Sequence, residues 1–506
     1  MKKLLFSILI IAGLVSSCNK TLTEDPNGQI IGENAITTLP ALQAAVTGMY
    51  KPLQNAYTSG IASAALNAVV MGSDDITTHP VSNKAELREM DQFVPSNVNS
   101  RIKIVWLGFY QSIQNSNNVI NSYKNVVADS ATVAKLAGEA YFLRAFSYYW
   151  LVRLFGNIPL MTTPILTDDD ADKYLTISKS TPAEVYAVIE SDLKMAEVML
   201  PNAKPAPGKP NAGTAKALLA DVYLTEGGYP IKDASKYALA ASKANEVITS
   251  KSTYGFDTSS LANIWSGLSS SINLPEDVFA LQFNSSVAAS ANSVYGRSSM
   301  PSDISGWDDY LSEINFYFSF PSGKRKQYTF EDTAVSNDGK TKVFWQNNLI
   351  NHPYYKKFRI NTATAVNVVV SNTDQELRLI RYAHVLLTYA EASARATGSV
   401  STDAYNALNI VRKRAGLANL VTGLSGSVFA DSVVNERKWE FAGEYTRWFD
   451  LIRLEQVESA NANKFNGTLP NGKTASDLAP LTTITKSQYW LPIPFGDVQL
   501  NPNLGN

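Results

Sequence analysis

Apolar residues recur every three or four positions through much of this chain, and that spacing predicts helices. Leu39 to Leu53, preceded by Thr37 and Thr38 as caps, carries Leu42, Ala45, Val46 and Met49 on one stripe. Ile102 to Val127 continues the pattern. Ala131 to Phe155 is the strongest segment, with Leu143, Phe146, Trp150, Leu151 and Leu154 on one side and Tyr141, Tyr148, Tyr149, Val152 and Phe155 on the other. A helix apolar on nearly all sides must be packed between neighbours. Gly156 ends it and Pro159 blocks an immediate restart. Further helices are predicted at Pro182 to Met199, Gly213 to Glu226, Ala234 to Thr249, Leu377 to Ala396, Asp403 to Ala415 and Asp431 to Leu454, and strand-like stretches are few. Ala140, Leu143, Ala145 and Tyr148 recur as Ala215, Leu218, Ala220 and Tyr223, an offset of 75 residues. Two hairpins of about 34 residues each would nearly fill that offset, as in an α-solenoid.

From Ser252 to about Asn372 the pattern changes. The stretch is rich in Ser, Asn, Gly and aromatic residues, holds no helical period, and is interrupted by Pro275, Pro301, Pro321 and Pro353. Long irregular segments in a compact protein are functional or disordered, and the aromatic density argues for order.

Composition narrows the function classes. The chain has 506 residues, 45% hydrophobic and 18% charged, with 44 basic against 45 acidic residues and a net charge of -1. That balance fits a large globular core and offers no basic run for a series of phosphates, so nucleic acid is not expected as a partner. Three histidines, His79, His352 and His384, and one cysteine leave few groups for a metal centre or a nucleophile with its base, so no metal, cofactor or catalytic residue is assigned.

The single cysteine, Cys18, closes a leader made of Lys2, Lys3, an apolar run from Leu4 to Val15, and Ser16 and Ser17. A basic start, a short apolar stretch and small residues at the cut describe a secretory signal over residues 1–17. Val15-Ser16-Ser17-Cys18 resembles the lipobox of bacterial lipoproteins, which makes Cys18 the expected acylation site; the alternative is an ordinary signal with a chance cysteine. The polar stretch 18–32 reads as a tether.

Several segments together resemble the SusD/RagB family of the Bacteroidetes. They are Glu139 to Phe146 continuing through Leu151-Val152-Arg153-Leu154-Phe155-Gly156-Asn157-Ile158-Pro159-Leu160; Leu379 to Ala383 with Tyr389 to Ala392 and Val411 to Leu417; Glu436-Arg437, Glu440, Glu444 and Arg447 to Arg453; and Leu491-Pro492-Ile493-Pro494 with Asn501-Pro502. The resemblance implies a mainly α fold, a tetratricopeptide-like helical-hairpin scaffold with a large irregular loop-rich part that binds ligand. The expected organisation is one domain over 33–506, with scaffold at about 33–250 and 373–506 and the insertion at about 251–372. The implied function is a non-catalytic, lipid-anchored protein of the outer-membrane surface that binds a glycan and acts as lid to a SusC-like TonB-dependent transporter. A peptide or other non-sugar nutrient on the same fold is the alternative, and a surface glycoside hydrolase a further one.

Sugar rings need exposed aromatic platforms and hydrogen-bonding side chains. Composition nominates Asp74, Asp75 and His79 in one loop; Trp307, Asp309, Tyr310 and Tyr317 in another; and Trp345 with Asn347 nearby. The competing reading places the tryptophans in the core and Asp74 at a helix cap. For the hydrolase reading, Asp74 with Asp75, or Asp308 with Asp309, would have to oppose each other. Glu436, Glu440 and Glu444 recur at intervals of four beside Arg437, Arg447 and Arg453, which points to an ion-pair lattice rather than an acid and base. Arg144, Arg153 and Arg381 are expected to meet buried acids such as Glu139 and Glu391.

Overall fold

The computed structural model describes residues 36–54, 61, 63–250, 253–266, 268, 272–287, 291–292, 296–336, 338–361 and 373–505. Cys18, the leader and the tether lie outside these residues.

The scaffold is a run of antiparallel helices: α1 (Leu39–Gln54), α2 (Ser100–Ser122), α3 (Ser130–Phe155), α4 (Pro182–Met199), α5 (Ala212–Glu226) and α6 (Lys236–Thr249). It continues after the insertion with α7 (Tyr382–Thr397), α8 (Thr402–Arg414), α9 (Gly426–Glu440) and α10 (Arg447–Arg453). Each helix from α1 to α6 packs on the next, and α6 packs on α7 across the insertion, so the solenoid is continuous although the chain leaves it. Local chemistry sets the ends. The Asp129 side chain accepts from Thr132 N at the start of α3, and Thr181 with Glu184 forms a reciprocal cap around Pro182 at the start of α4. As its sequence requires, α3 is enclosed: Phe142 and Phe146 meet Phe279 of the insertion at 4.9 and 5.2 Å between ring centroids, and Trp150 meets Phe449 of α10 at 5.2 Å. This arrangement is mainly α and tetratricopeptide-like.

Three predicted elements differ. Ala140 and Ala215 do mark equivalent helices, α3 and α5, but one long hairpin, α3 with α4, separates them rather than two short ones. Leu377 to Arg381 is a strand, because it pairs antiparallel with Asp277–Leu281; that tertiary partner overrides the apolar run, and helix begins only at Tyr382. The segment from Asp431 to Leu454 is broken at 441–446, where Gly443 (φ 75°) and Tyr445 (φ 69°) take left-handed backbone. Gly443 also lies against the Tyr355 ring, which an added Cβ would meet at 2.9 Å.

Among the described residues the remaining strands form two-stranded ribbons. With β1 (Ile76–Thr77), β2 (Asp277–Leu281), β3 (Leu311–Ser312) and β4 (Leu377–Arg381), the pairs β1/β3 and β2/β4 pin the insertion to the scaffold.

The ion-pair lattice exists; Arg453 meets Asp450 three residues before it, as spacing suggests, while Arg437 and Arg447 take other partners. Arg381, wholly buried, donates to Glu276 at 2.7 Å, to Glu440 at 3.0 Å and to Glu444 at 2.7 Å. Arg414 bridges Glu276 and Glu440, while Arg325 and Lys357 reach in from the insertion to Glu436, Glu440 and Glu444. Burial opposes ionisation of Glu440, but Arg414, Arg381 and Arg325 outweigh it and hold the carboxyl well below the usual range. Arg437 and Arg453 share Asp450, and Arg453 also grips Glu391 at 2.6 Å. Arg144 binds Asp192 rather than Glu139, which instead accepts from Tyr50 and Lys209. Arg447 pairs with Asp74, far off in sequence, rather than with Glu444 three residues before it.

Candidate functional site

The segment from Ser73 to His79, which contains β1, makes structural contacts at the aspartates nominated for binding. Asp74 receives Arg447 through Nε at 2.6 Å and Nη2 at 3.0 Å, with Lys438 at 3.2 Å. Burial raises the cost of its charge, yet these cations outweigh it and hold the acid ionised far below the usual range. Asp75 is fully buried; it accepts from Ser73 Oγ at 2.6 Å and Gly443 N at 2.9 Å, and burial pushes its pKa up. Both acids fasten the loop to the α9–α10 break. His79 is half-buried, its Nδ1 accepts from Val81 N at 3.0 Å, and burial lowers its pKa.

The second loop divides. Tyr310 is wholly buried and offers no face to a ligand. Asp309 is buried in an ion pair with Lys84, and Asp308 accepts from Ser302 N at 2.9 Å and Tyr354 OH at 2.6 Å. Each carboxylate of the two aspartate pairs is tied to a different structural partner. Trp307 stays partly exposed, with Lys84 Nζ 5.0 Å and the Arg297 guanidinium carbon 4.8 Å from its ring centroid.

The third cluster shows the main correction. Trp345 is 1% exposed and packs edge-on to Tyr317, whose hydroxyl donates to Asp332 at 2.6 Å. Both rings are buried and form the floor of the cluster. The exposed rings are their sequence neighbours: Phe318 at 43% and Phe344 at 40%. Phe318 lies 5.9 Å and Phe344 6.2 Å from Trp345, and half-buried Phe465 closes the group 6.3 Å from Phe318. Asn347 is exposed beside them and its Oδ1 accepts from Asn471 Nδ2 at 3.0 Å. Leu349 N donates to Asp303 at 3.2 Å, so this cluster adjoins the Trp307 loop.

A finer reading of period finds the two phenylalanines. In the strand Lys342–Phe344 alternate residues share a face, so Phe344 points outward with the exposed Lys342 while Trp345 follows Val343 inward. In the short helix Ile314–Ser319, Phe318 follows the exposed Asn315 by three residues, and Tyr317 follows the buried Ile314. The resulting surface combines apolar ring faces with amide donors and acceptors, which suits stacking and hydrogen bonding.

Among the described residues no three His, Cys, Asp or Glu side chains group as a metal site, and no helix is long and apolar enough to cross a membrane.

Comparisons with known proteins agree with this architecture. The SusD family model matches residues 283–506, and a SusD-like family described as "Starch-binding associating with outer membrane" matches residues 37–224. SusD-like protein P2 of Formosa agariphila is 27% identical over 100% of this chain and 99% of its own length. A SusD superfamily protein from Parabacteroides distasonis superposes with a TM-score of 0.77 at 25% identity, covering 92% of this chain and 98% of that one. A laminarin-binding SusD-like protein superposes at 0.73 with 24% identity, covering 92% and 98%.

Proposed function

The chain belongs to the SusD/RagB family, and on that premise we propose that it is a non-catalytic surface lipoprotein, anchored through Cys18, that binds a glycan and hands it to a SusC-like TonB-dependent transporter. Its relatives include a protein that binds laminarin, and one of its family models is described by starch binding at the outer membrane. The observation that carries the reading is the pair of exposed rings, Phe318 and Phe344, set over buried Trp345 with Asn347 and Asn471 at the rim. Sugar rings lay their C–H faces on such platforms while amides meet the hydroxyls. Trp307, whose loop adjoins this surface through the Asp303–Leu349 contact, extends the same ligand face. The buried Asp75, Asp309, Tyr310 and Trp345 support that face without touching ligand.

Isothermal titration against a panel of polysaccharides, run with an assay for released reducing ends, tests this. Binding without turnover that is lost in Phe318→Ala with Phe344→Ala supports it. Release of reducing ends would replace it with a hydrolase, and binding of peptides but not glycans would replace it with the non-sugar alternative.

A further inference from the structure

The carboxylates nearest Trp307 in sequence are all occupied. Asp309 pairs with Lys84, Asp308 accepts from Ser302 N and from Tyr354 OH, and Asp303 accepts from Leu349 N. Two cations stand at the indole. Lys84, with Nζ 5.0 Å from the ring centroid, is balanced by Asp309, but Arg297, with its guanidinium carbon at 4.8 Å, is not balanced. Among the described residues the Arg297 side chain makes no ion pair and no hydrogen bond, and its Nε is buried without a partner. The residue as a whole is half-buried, so its two Nη nitrogens are left to solvent. An arginine stays charged at any physiological pH and cannot escape this position by losing a proton.

The backbone builds the juxtaposition. Trp307 N donates to Arg297 O at 3.0 Å, while Asp309 N and Tyr310 N donate to Ser298 O at 2.9 and 3.0 Å. Before Arg297, Gly296 takes a φ of 86° and passes so close to Phe358 O that an added Cβ would meet it at 2.8 Å. The guanidinium is therefore held against the indole before any ligand arrives.

We propose that Arg297 recognises an acidic substituent, and that the glycan of this face is a uronate-bearing saccharide whose carboxylate sits on the Arg297 guanidinium while its ring packs on Trp307. The inference rests on the glycan-binding reading above and narrows it to one chemical class. A planar guanidinium presents parallel N–H groups that match the two oxygens of a carboxylate, and such charge-assisted bonds are about twice as strong as those to a neutral hydroxyl. Stacking on the indole steadies the cation and leaves its N–H edge free. The near-neutral charge of the whole chain does not oppose this, because the local field in the site decides which ligand charge is drawn in.

The test is isothermal titration of the full-length lipoprotein with oligosaccharides of galacturonate, of mannuronate and guluronate, and of glucuronate, each beside a neutral oligosaccharide of similar length, at low and high ionic strength. The native protein should bind one uronate series about tenfold tighter than its neutral counterpart, with an advantage that shrinks as salt rises. Arg297→Met, which keeps an unbranched stem against Trp307, should lose that advantage and its salt dependence while neutral binding is retained. Arg297→Lys, which keeps the charge without the fork, should fall between the two, and thermal melts establish that both variants are folded. Equal affinity for neutral and uronate saccharides, or an equal loss of both in Arg297→Met, would overturn the inference and leave glycan binding standing. Binding of sulfated but not uronate saccharides would overturn it in favour of a sulfate ester. If no saccharide binds the native protein, the glycan reading itself fails and this ligand class with it.

Discussion

Arg381 Nε donates to Glu444 at 2.7 Å although the two residues stand 63 positions apart, and the same guanidinium reaches Glu276 and Glu440. One side chain at the foot of α7 thereby joins the insertion, the end of α9 and the break before α10. Buried lattices of this kind cost desolvation, and they penalise any arrangement that leaves one member alone.

Arg381→Ala should therefore destabilise the fold by about 3–5 kcal/mol, because three carboxylates lose a common partner. Urea unfolding at pH 7 checks this. A loss under 1 kcal/mol would mean that water or Arg414 replaces the guanidinium.

Trp345→Ala and Phe344→Ala should separate cleanly. The first removes a buried indole and should cost about 3–5 kcal/mol of stability. The second removes an exposed ring, should leave the melting temperature nearly unchanged, and should weaken glycan binding by roughly tenfold, the scale of one aromatic contact. Thermal melts and titration on the same preparations read both.

Asp91 supplies a pH signature. It is fully buried, and burial, opposed by Lys464 and by hydrogen bonds from Thr77 and Thr78, pushes its pKa up to about 6 from the usual 3.8. The folded state therefore binds the proton more tightly than the unfolded chain. The stabilising contribution of this site is complete below pH 3.8 and is lost as pH rises through 6. Asp91→Asn keeps the neutral form at every pH, so its stability relative to the native protein should improve by up to about 3 kcal/mol between pH 3.5 and 7. Denaturant titrations of both proteins at the two pH values give the difference; equal differences at both would place the pKa near its ordinary value.

Gly306→Ala should distort the loop that carries Trp307. An added Cβ would stand 2.0 Å from Met300 O, a backbone atom with no freedom to turn aside. A destabilisation of about 1–3 kcal/mol is expected, with weaker ligand binding if Trp307 belongs to the glycan face. Native tryptophan fluorescence and calorimetry follow the two effects.

Helices that bury a continuous stripe, such as α3 and α4, were readable from period and caps alone, since nothing distant alters their packing face. Leu377 to Arg381 was not, because its state depends on pairing with Asp277–Leu281 some hundred residues away. The arginines were recognisable as buried partners, but which acid each meets is a matter of tertiary geometry: Arg447 crosses to Asp74, and Arg437 to Asp450. At the proposed ligand face, composition nominates these loops and their larger rings. Local alternation, with Lys342 and Asn315 as outward markers, decides which ring of each neighbouring pair meets solvent, and it selects Phe344 and Phe318.

The β2/β4 ribbon has an evolutionary consequence. Because Asp277–Leu281 and Leu377–Arg381 run side by side, the chain between them leaves and returns at one place, and α6 meets α7 without its help. Such a segment is an exchangeable cassette: a new set of recognition loops can replace the old one while the solenoid keeps its own packing. The condition for exchange is written in the lattice, since an incoming cassette must again deliver cations where Arg325 and Lys357 now meet Glu436, Glu440 and Glu444.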